Sequence, residues 1–92
     1  MLAIGDANVT TEIFGSDLNN ITKSGVCSFY GGFMKNSPIA NGYNVLIVLA
    51  YDEHRITQYC IANFDNGNSE AHKRVSRYTS EGMTWGAWSK QE

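Results

Sequence analysis

Residues that could act as nucleophiles, bases or acids are few and scattered in this chain. The best nucleophile candidate is Cys60, with His72 as its possible base. Such a pair could attack an acyl carbon only if the fold brought the thiol and the imidazole together, which nothing in their spacing shows. The turn Asp52-Glu53-His54 also sets carboxylates beside an imidazole, but solvated charges are the usual content of a polar turn. We therefore expect no catalytic residue and no enzyme.

Metal, phosphate and redox sites have no signature in the sequence. The histidines lack an H-x-H or H-x-x-x-H spacing, and no glycine-rich loop follows a strand and opens a helix. We expect no metal and no cofactor. Cys27 and Cys60 are the only cysteines, and we interpret them as two small buried hydrophobic residues. One disulfide or a reactive thiol remains the alternative.

Composition and charge exclude some classes of partner. The chain has 92 residues, enough for one small domain, and 42% of them are hydrophobic. Seven basic and nine acidic residues give a net charge of -2 without a cluster of either sign. A nucleic-acid surface would need a basic stripe. The longest apolar run, from Val45 to Ala50, is too short to cross a membrane. The start of the chain also lacks the features of a signal peptide. We expect neither nucleic-acid binding nor membrane insertion.

Binding through aromatic and amide groups is the chemistry that the composition favours. Five Tyr and two Trp accompany many Asn, Ser and Thr residues. Rings of this kind stack on sugars, while amides and hydroxyls hydrogen-bond to sugar hydroxyls. The alternative for each ring is packing at the edge of the core. The sequence therefore predicts a binding surface without locating it.

Turn residues and alternating hydrophobicity predict the elements that must position these side chains. One helical turn, capped by Ser16 or Asp17, precedes strands separated by Gly, Asn and Asp clusters. Residues 1–15 form an N-terminal strand or the end of a longer element. The predicted fold is mainly β, a small antiparallel meander or sandwich of four to five strands. Its elements are the turn 16–21 and the strands 26–30, 43–51, 55–64, 70–79 and 83–90.

Both tryptophans lie in the last predicted strand, and each indole buries roughly 150–250 Å² when it packs. Positions three apart on a regular strand face opposite ways. We expect Trp85 in the core and Trp88 as a lid on the helical turn or on a neighbouring chain. A bulge at Gly86 would instead turn both rings to one side. The predicted structural residues are Leu18, Ile21, Phe29, Gln58, Trp85 and Trp88.

Five short motifs follow one another along residues 16–90. They are Asp17-Leu18-Asn19-Asn20-Ile21-Thr22, Gly25-Val26-Cys27-Ser28-Phe29, Thr57-Gln58 in the strand pair 43–64, a strand with Arg74 or Arg77, and Trp85-Gly86-Ala87-Trp88-Ser89-Lys90. In this order they resemble the C-terminal knob modules of bacteriophage tail fibres and R-type pyocin fibres. Either Arg74 or Arg77 matches the family arginine. Cys27 stands where the family often has an aromatic residue, and the loop 35–42 follows no family pattern.

The resemblance implies a receptor-binding domain at the tip of a homotrimeric fibre. Residues 1–15 would end the shaft, and residues 16–92 would form the knob. The protein would be made in the host cytoplasm and act outside the cell on the virion. Its partner would be a host surface glycan, such as lipopolysaccharide or capsule, or an outer-surface protein. The alternative is a structural, trimerising module of the fibre without receptor contact.

Receptor contacts are expected in loops. From residue type and loop position, the predicted receptor-binding residues are Asn36, Ser37, Asn41, Tyr43, Asp52, His54, Arg55, Asp65, Asn66 and Asn68.

Overall fold

The computed structural model of the protein describes residues 17–92. They form one antiparallel sheet in the order β1-β2-β3-β4-β5, with β6 pairing to β4, curved into a half-barrel. This confirms the predicted mainly β meander with one short helical turn near its N-terminus. The strands are β1 (Gly25–Tyr30), β2 (Tyr43–Ala50), β3 (Ile56–Asn63), β4 (Ser69–Thr79), β5 (Gly82–Trp85) and β6 (Ser89–Gln91). The predicted element 1–15 lies outside the described residues.

Alternation along the strands gives the sheet two different faces. On β3, Ile56, Gln58, Cys60 and Ala62 are buried, and the residues between them are half-buried. The buried set lines the concave inner face, which holds the core, because alternate strand residues point to the same side. The intervening residues form the outer face.

Strand β2 is apolar on both faces. Leu46 and Val48 are buried on the inner face, whereas Val45 and Ile47 are only half-buried on the outer face. Leu49, also on the outer face, is 43% exposed. Within residues 17–92, no second layer covers that side.

Two segments close the inner face. The first is a single 3-10 turn, Leu18–Asn20, which is shorter than the predicted helical turn 16–21. Asp17 caps it by accepting a hydrogen bond from the Asn19 backbone N–H, and Leu18 is fully buried against the sheet. Ile21 packs at the edge of the same cluster.

The second segment is the long connection from β1 to β2, which begins with the 3-10 turn Gly31–Phe33. Met34 and Ile39 in this connection are buried in the core. Gly31 approaches backbone so closely that a Cβ there would lie 2.6 Å from the Ile39 carbonyl oxygen. A glycine is therefore needed at position 31 because there is no room for a Cβ atom, and not because of an unusual backbone conformation.

A β-bulge at Gly86 places both indoles on the inner side of the sheet. Residues 76–79 of β4 pair with β5, and residues 71–73 pair with β6. Between these two ladders, three residues on the last strand face two on β4, which defines a bulge. The Gly86 N–H donates to the Val75 carbonyl at 2.9 Å. The extra residue reverses the alternation, so Trp85 and Trp88 both face inward, as the bulge alternative predicted.

Candidate functional site

A buried arginine lies between the two indoles at the centre of a network of polar contacts. The Arg74 side chain projects inward from β4 and is 5% exposed. Its guanidinium carbon lies 4.2 Å from the Trp85 ring centroid and 4.6 Å from that of Trp88. Both distances are within the range of cation–π contact. We call Arg74, Gln58, Trp85 and Trp88 the arginine cage.

Gln58 ties this cage to the N-terminal turn. Its Oε1 accepts a hydrogen bond from Arg74 Nε at 2.8 Å. Its Nε2 donates to the carbonyls of Leu18 and Ile21, each at 2.8 Å. A fully buried amide with this set of partners fixes the turn against β3 and orients the guanidinium.

The two indole N–H groups secure the segments that close the core. Trp85 Nε1 donates to the Asn19 carbonyl at 3.2 Å, and Trp88 Nε1 donates to the Asn36 carbonyl at 2.9 Å. Trp88 therefore covers the β1–β2 connection, and the predicted lid position over the Leu18–Asn20 turn is wrong. That position belongs to Trp85, which is half-buried and packs against the core.

Asp17 completes the network electrostatically. Its Oδ1 accepts from Asn36 Nδ2 at 2.7 Å and from the Asn19 N–H at 2.9 Å. These bonds, led by that from Asn36, lower the pKa of Asp17. Burial lowers the pKa of Arg74 to about 10, and the Asp17 carboxylate opposes that shift. Arg74 therefore remains charged at neutral pH.

The structure distinguishes the two arginines that the sequence left equivalent. Arg74 is in the cage, whereas Arg77 lies on the exposed part of β4 opposite Thr84. Two atoms, the donor Arg74 Nη2 in the cage and the acceptor Asn19 Oδ1 in the adjoining turn, are buried without a protein partner. The Gln58 amide and both indole N–H groups bond within the protein, so the cage stabilises the fold.

The cysteines are free and buried. Leu46 on β2 pairs with Cys27 on β1 and with Cys60 on β3, so it lies between the two cysteines. Two strand spacings separate them by about 10 Å, beyond the ~7 Å Cα limit for a disulfide. A disulfide between them is therefore excluded in this fold.

The Cys60–His72 pair is brought together by the register but is not arranged for nucleophilic attack. The two residues are direct partners across β3 and β4. Cys60 is fully buried, and desolvation raises its pKa to about 12. Its thiol donates to Asn44 Oδ1 at 3.2 Å, and the His72 ring bonds to Glu70 at 3.2 Å. A thiol of this kind stays protonated at neutral pH and is a poor nucleophile.

The predicted receptor-binding residues fall into three groups. Asp52, His54 and Arg55 form the β2–β3 turn at one end of the sheet. Tyr43 and the β3–β4 turn residues Asp65, Asn66 and Asn68 lie at the opposite end, because Tyr43 pairs with Asn63. The loop residues Asn36, Ser37 and Asn41 make the third group.

The loop group takes part in holding the chain together. Asn36 bonds to Asp17 and accepts from Trp88. The Ser37 hydroxyl bonds to the backbone of Ile39, and the Asn41 carbonyl accepts from Asn44. These residues support the core cover, so the two turn groups are the stronger candidates for external contacts.

The β2–β3 turn borders a groove of about 500 Å³. Sequence reasoning missed most of its lining because the residues come from four separate segments. The one available signal was Tyr51, an aromatic residue directly before a polar turn. The lining consists of Ser24, Leu49, Ala50, Tyr51, Arg55, Ile56, Thr57, Val75 and Ser76.

A smaller groove of about 290 Å³ lies at the opposite end, between β1, β2 and β3. Its aromatic rings are Tyr30 and Tyr43, which meet edge to face with centroids 5.5 Å apart. Asn63 and Ser28 complete its polar rim. The sheet therefore carries an aromatic and polar surface at each end.

Neither a metal-ligand cluster nor a membrane-spanning helix is present within residues 17–92. No three His, Cys, Asp or Glu side chains are grouped as metal ligands there. No helix in this part of the chain has the length and hydrophobicity to cross a membrane.

Comparison with known proteins gave no match to a family model, to a curated protein or to a solved structure.

Proposed function

We propose that this chain is the receptor-binding tip domain of a phage or phage-like tail fibre, which recognises a host cell-surface glycan as a homotrimer. On this proposal it acts at the fibre tip on the virion and is not an enzyme. The observation that carries the proposal is that four of the five fibre-like motifs, which lie far apart in sequence, converge on one network. Asp17, Gln58, Arg74 and both tryptophans belong to it.

This convergence supports the proposal, because short motifs that resembled the family by chance would not be expected to contact one another in the folded protein. The resembling residues come from the N-terminal turn, β3, β4 and the last strand, and they are linked by hydrogen bonds and ring contacts. Such a framework is what a module needs if its loops vary while its core stays the same. The resemblance is therefore a likeness of scaffold, which supports the family and leaves the receptor open.

The outer face of the sheet supports assembly with further copies. Val26, Ile47 and Tyr59 form one cross-strand row, and Val45 and Ile61 lie in the next. A contiguous apolar face on a monomer is unusual unless something covers it. Closed symmetric association of identical chains would cover it.

A structural, trimerising module without receptor contact is the second candidate. It is favoured by the same network, since Gln58, Arg74 and both tryptophans are used to hold the fold together. The two candidates differ only in the grooves and turns at the ends of the sheet, which the structural module would not use.

Two measurements on the full chain test the proposal. Light scattering should give the mass of a trimer, and the outer-face variant Ile61→Glu should shift it towards the monomer. Fluorescently labelled protein should bind bacterial cells or immobilised lipopolysaccharide and capsular polysaccharide. A chain that is monomeric at high concentration and binds none of these surfaces would refute the proposal. A trimer that binds none of them would favour the structural module.

A further inference from the structure

The groove beside the β2–β3 turn contains an aromatic ring that has no packing role. Tyr51 is 86% exposed, the most exposed of the large hydrophobic residues whose burial the structure describes. Packing at the core edge accounts for half-buried rings such as Trp85, but it does not account for Tyr51. The neighbouring Leu49 and Val75 are also partly exposed, so the ring stands beside an apolar strip.

Polar groups of the same groove are fixed in place before any ligand arrives. Asp52 Oδ1 accepts from the backbone N–H groups of His54 and Arg55, each at 2.8 Å. Asp52 Oδ2 accepts from Arg55 Nη1 at 2.7 Å. The turn and its guanidinium are thereby ordered, with further guanidinium N–H groups available as donors. Pre-ordered donors lower the entropic cost of binding.

The opposite wall is held by a second set of bonds. The Ser76 hydroxyl donates to the His54 carbonyl at 2.6 Å and accepts from the Ile56 N–H at 2.8 Å. The His54 ring lies on the Tyr78 ring with centroids 4.1 Å apart. Ser24 accepts from the Ala50 N–H at 2.9 Å, which ties the start of β1 to the end of β2. The groove is therefore a rigid feature of the fold.

Charge balance indicates what the groove could hold. Its cation, Arg55, is paired with Asp52, and the exposed Glu53 adds a negative charge beside them. An acidic sugar would therefore meet no uncompensated positive charge. A neutral sugar could place its C–H face on the Tyr51 ring and its hydroxyls on Arg55 and Thr57.

We propose that the groove lined by Tyr51, Arg55, Thr57 and Val75 is a subsite for one neutral hexose unit of a host-surface polysaccharide. This inference rests on the proposed receptor-binding function and assigns it to one end of the sheet. The volume of about 500 Å³ suits a small ligand. The groove at the Tyr43 end is smaller, and it serves as the internal control.

The test uses the full chain and three single variants, Tyr51→Ala, Arg55→Ala and the control Gln91→Ala, which lies outside both grooves. All three side chains are exposed, so the substitutions should leave the fold intact. Isotope-labelled protein is titrated with neutral oligosaccharides of glucose, galactose and mannose, and with a uronic-acid oligosaccharide. Amide chemical shifts report the location of binding, and cell adsorption is measured in parallel.

We expect a neutral oligosaccharide to shift the amides of Tyr51 and Arg55. Its affinity should fall about tenfold in Tyr51→Ala and stay unchanged in Gln91→Ala. Shifts confined to the Tyr43 end, or binding of the uronic-acid probe alone, would overturn the subsite. If the protein adsorbs to cells and neither groove variant weakens adsorption, the subsite is wrong and the receptor-binding function stands. If no cell or polysaccharide binds, both fail.

Discussion

The most informative perturbation of this fold is Gln58→Met, which removes the polar group that joins the N-terminal turn to the arginine cage. Methionine is close to glutamine in length and volume, so the change leaves little cavity. What is lost is three hydrogen bonds of 2.8 Å made by a fully buried amide. Two of them end on neutral carbonyls, and the third joins a charged guanidinium.

These bonds set the expected magnitude. A neutral hydrogen bond contributes about 1 kcal/mol net, and one to a charged group about 1.5–3 kcal/mol. We therefore expect the free energy of unfolding to fall by about 3–5 kcal/mol. A domain of this size is stable by roughly 5–15 kcal/mol, so the loss would be a large part of the total.

The assay is urea unfolding followed by tryptophan fluorescence, at one fixed protein concentration because association also adds to stability. Gln91→Met is the matched control, since Gln91 is exposed on β6. It should change stability by less than about 0.5 kcal/mol. A second arm combines Gln58→Met with Arg74→Met, and we expect a coupling energy of about 1–3 kcal/mol. A loss below about 1 kcal/mol in Gln58→Met would refute the importance of the network.

Four further outcomes follow from the structure. Trp85→Ala should cost about 3–5 kcal/mol, and a near-native melting midpoint would show that its indole is dispensable. Gly31→Ala should destabilise the protein by about 1–3 kcal/mol, because the new Cβ would clash with backbone oxygens. Gly25→Ala is the control and should be better tolerated, because a Cβ there meets nothing within 4 Å. Cys60 should resist iodoacetamide in the native protein at pH 8 and react in urea, because its raised pKa keeps it protonated; rapid native labelling would contradict its burial. The pKa of Asp17 is lowered from 3.8. The Asp17 carboxylate therefore stabilises the fold above pH 3.8, and this contribution is lost as the pH falls through the lower pKa of the folded state. Asp17→Asn should make stability less dependent on pH in this acid range, and an unchanged slope would contradict the prediction.

The strands and turns could be predicted from the sequence because their signals are local. Alternation on β3 placed Ile56, Gln58, Cys60 and Ala62 on one face, and the Asn66-Gly67 pair marked the turn that follows. Strand limits differed from the predictions by a residue or so, except in the last strand. There the bulge divides one predicted strand into β5 and β6.

The partners of buried polar groups could not be predicted, because each depends on strands that meet only after folding. Arg74 and Arg77 look alike in sequence, and they differ only because the pairing of β4 turns Arg74 inward between two rings. The partner of the exposed loop residue Asn36 could not be predicted either, because its side chain bonds to Asp17 from a distant part of the chain.

By itself, the sequence determined a small, nearly neutral, mainly β domain closed by its terminal tryptophans. The alternation of hydrophobic residues in strands and the residue types of turns depend only on neighbouring positions, so they can be recognised in the sequence. The tertiary structure alone decided that both indoles enclose Arg74, since one extra residue at Gly86 shifts the register of the last strand. It also decided that Tyr51 and Arg55 share a groove with β4, because sheet pairing brings together residues that the chain keeps apart.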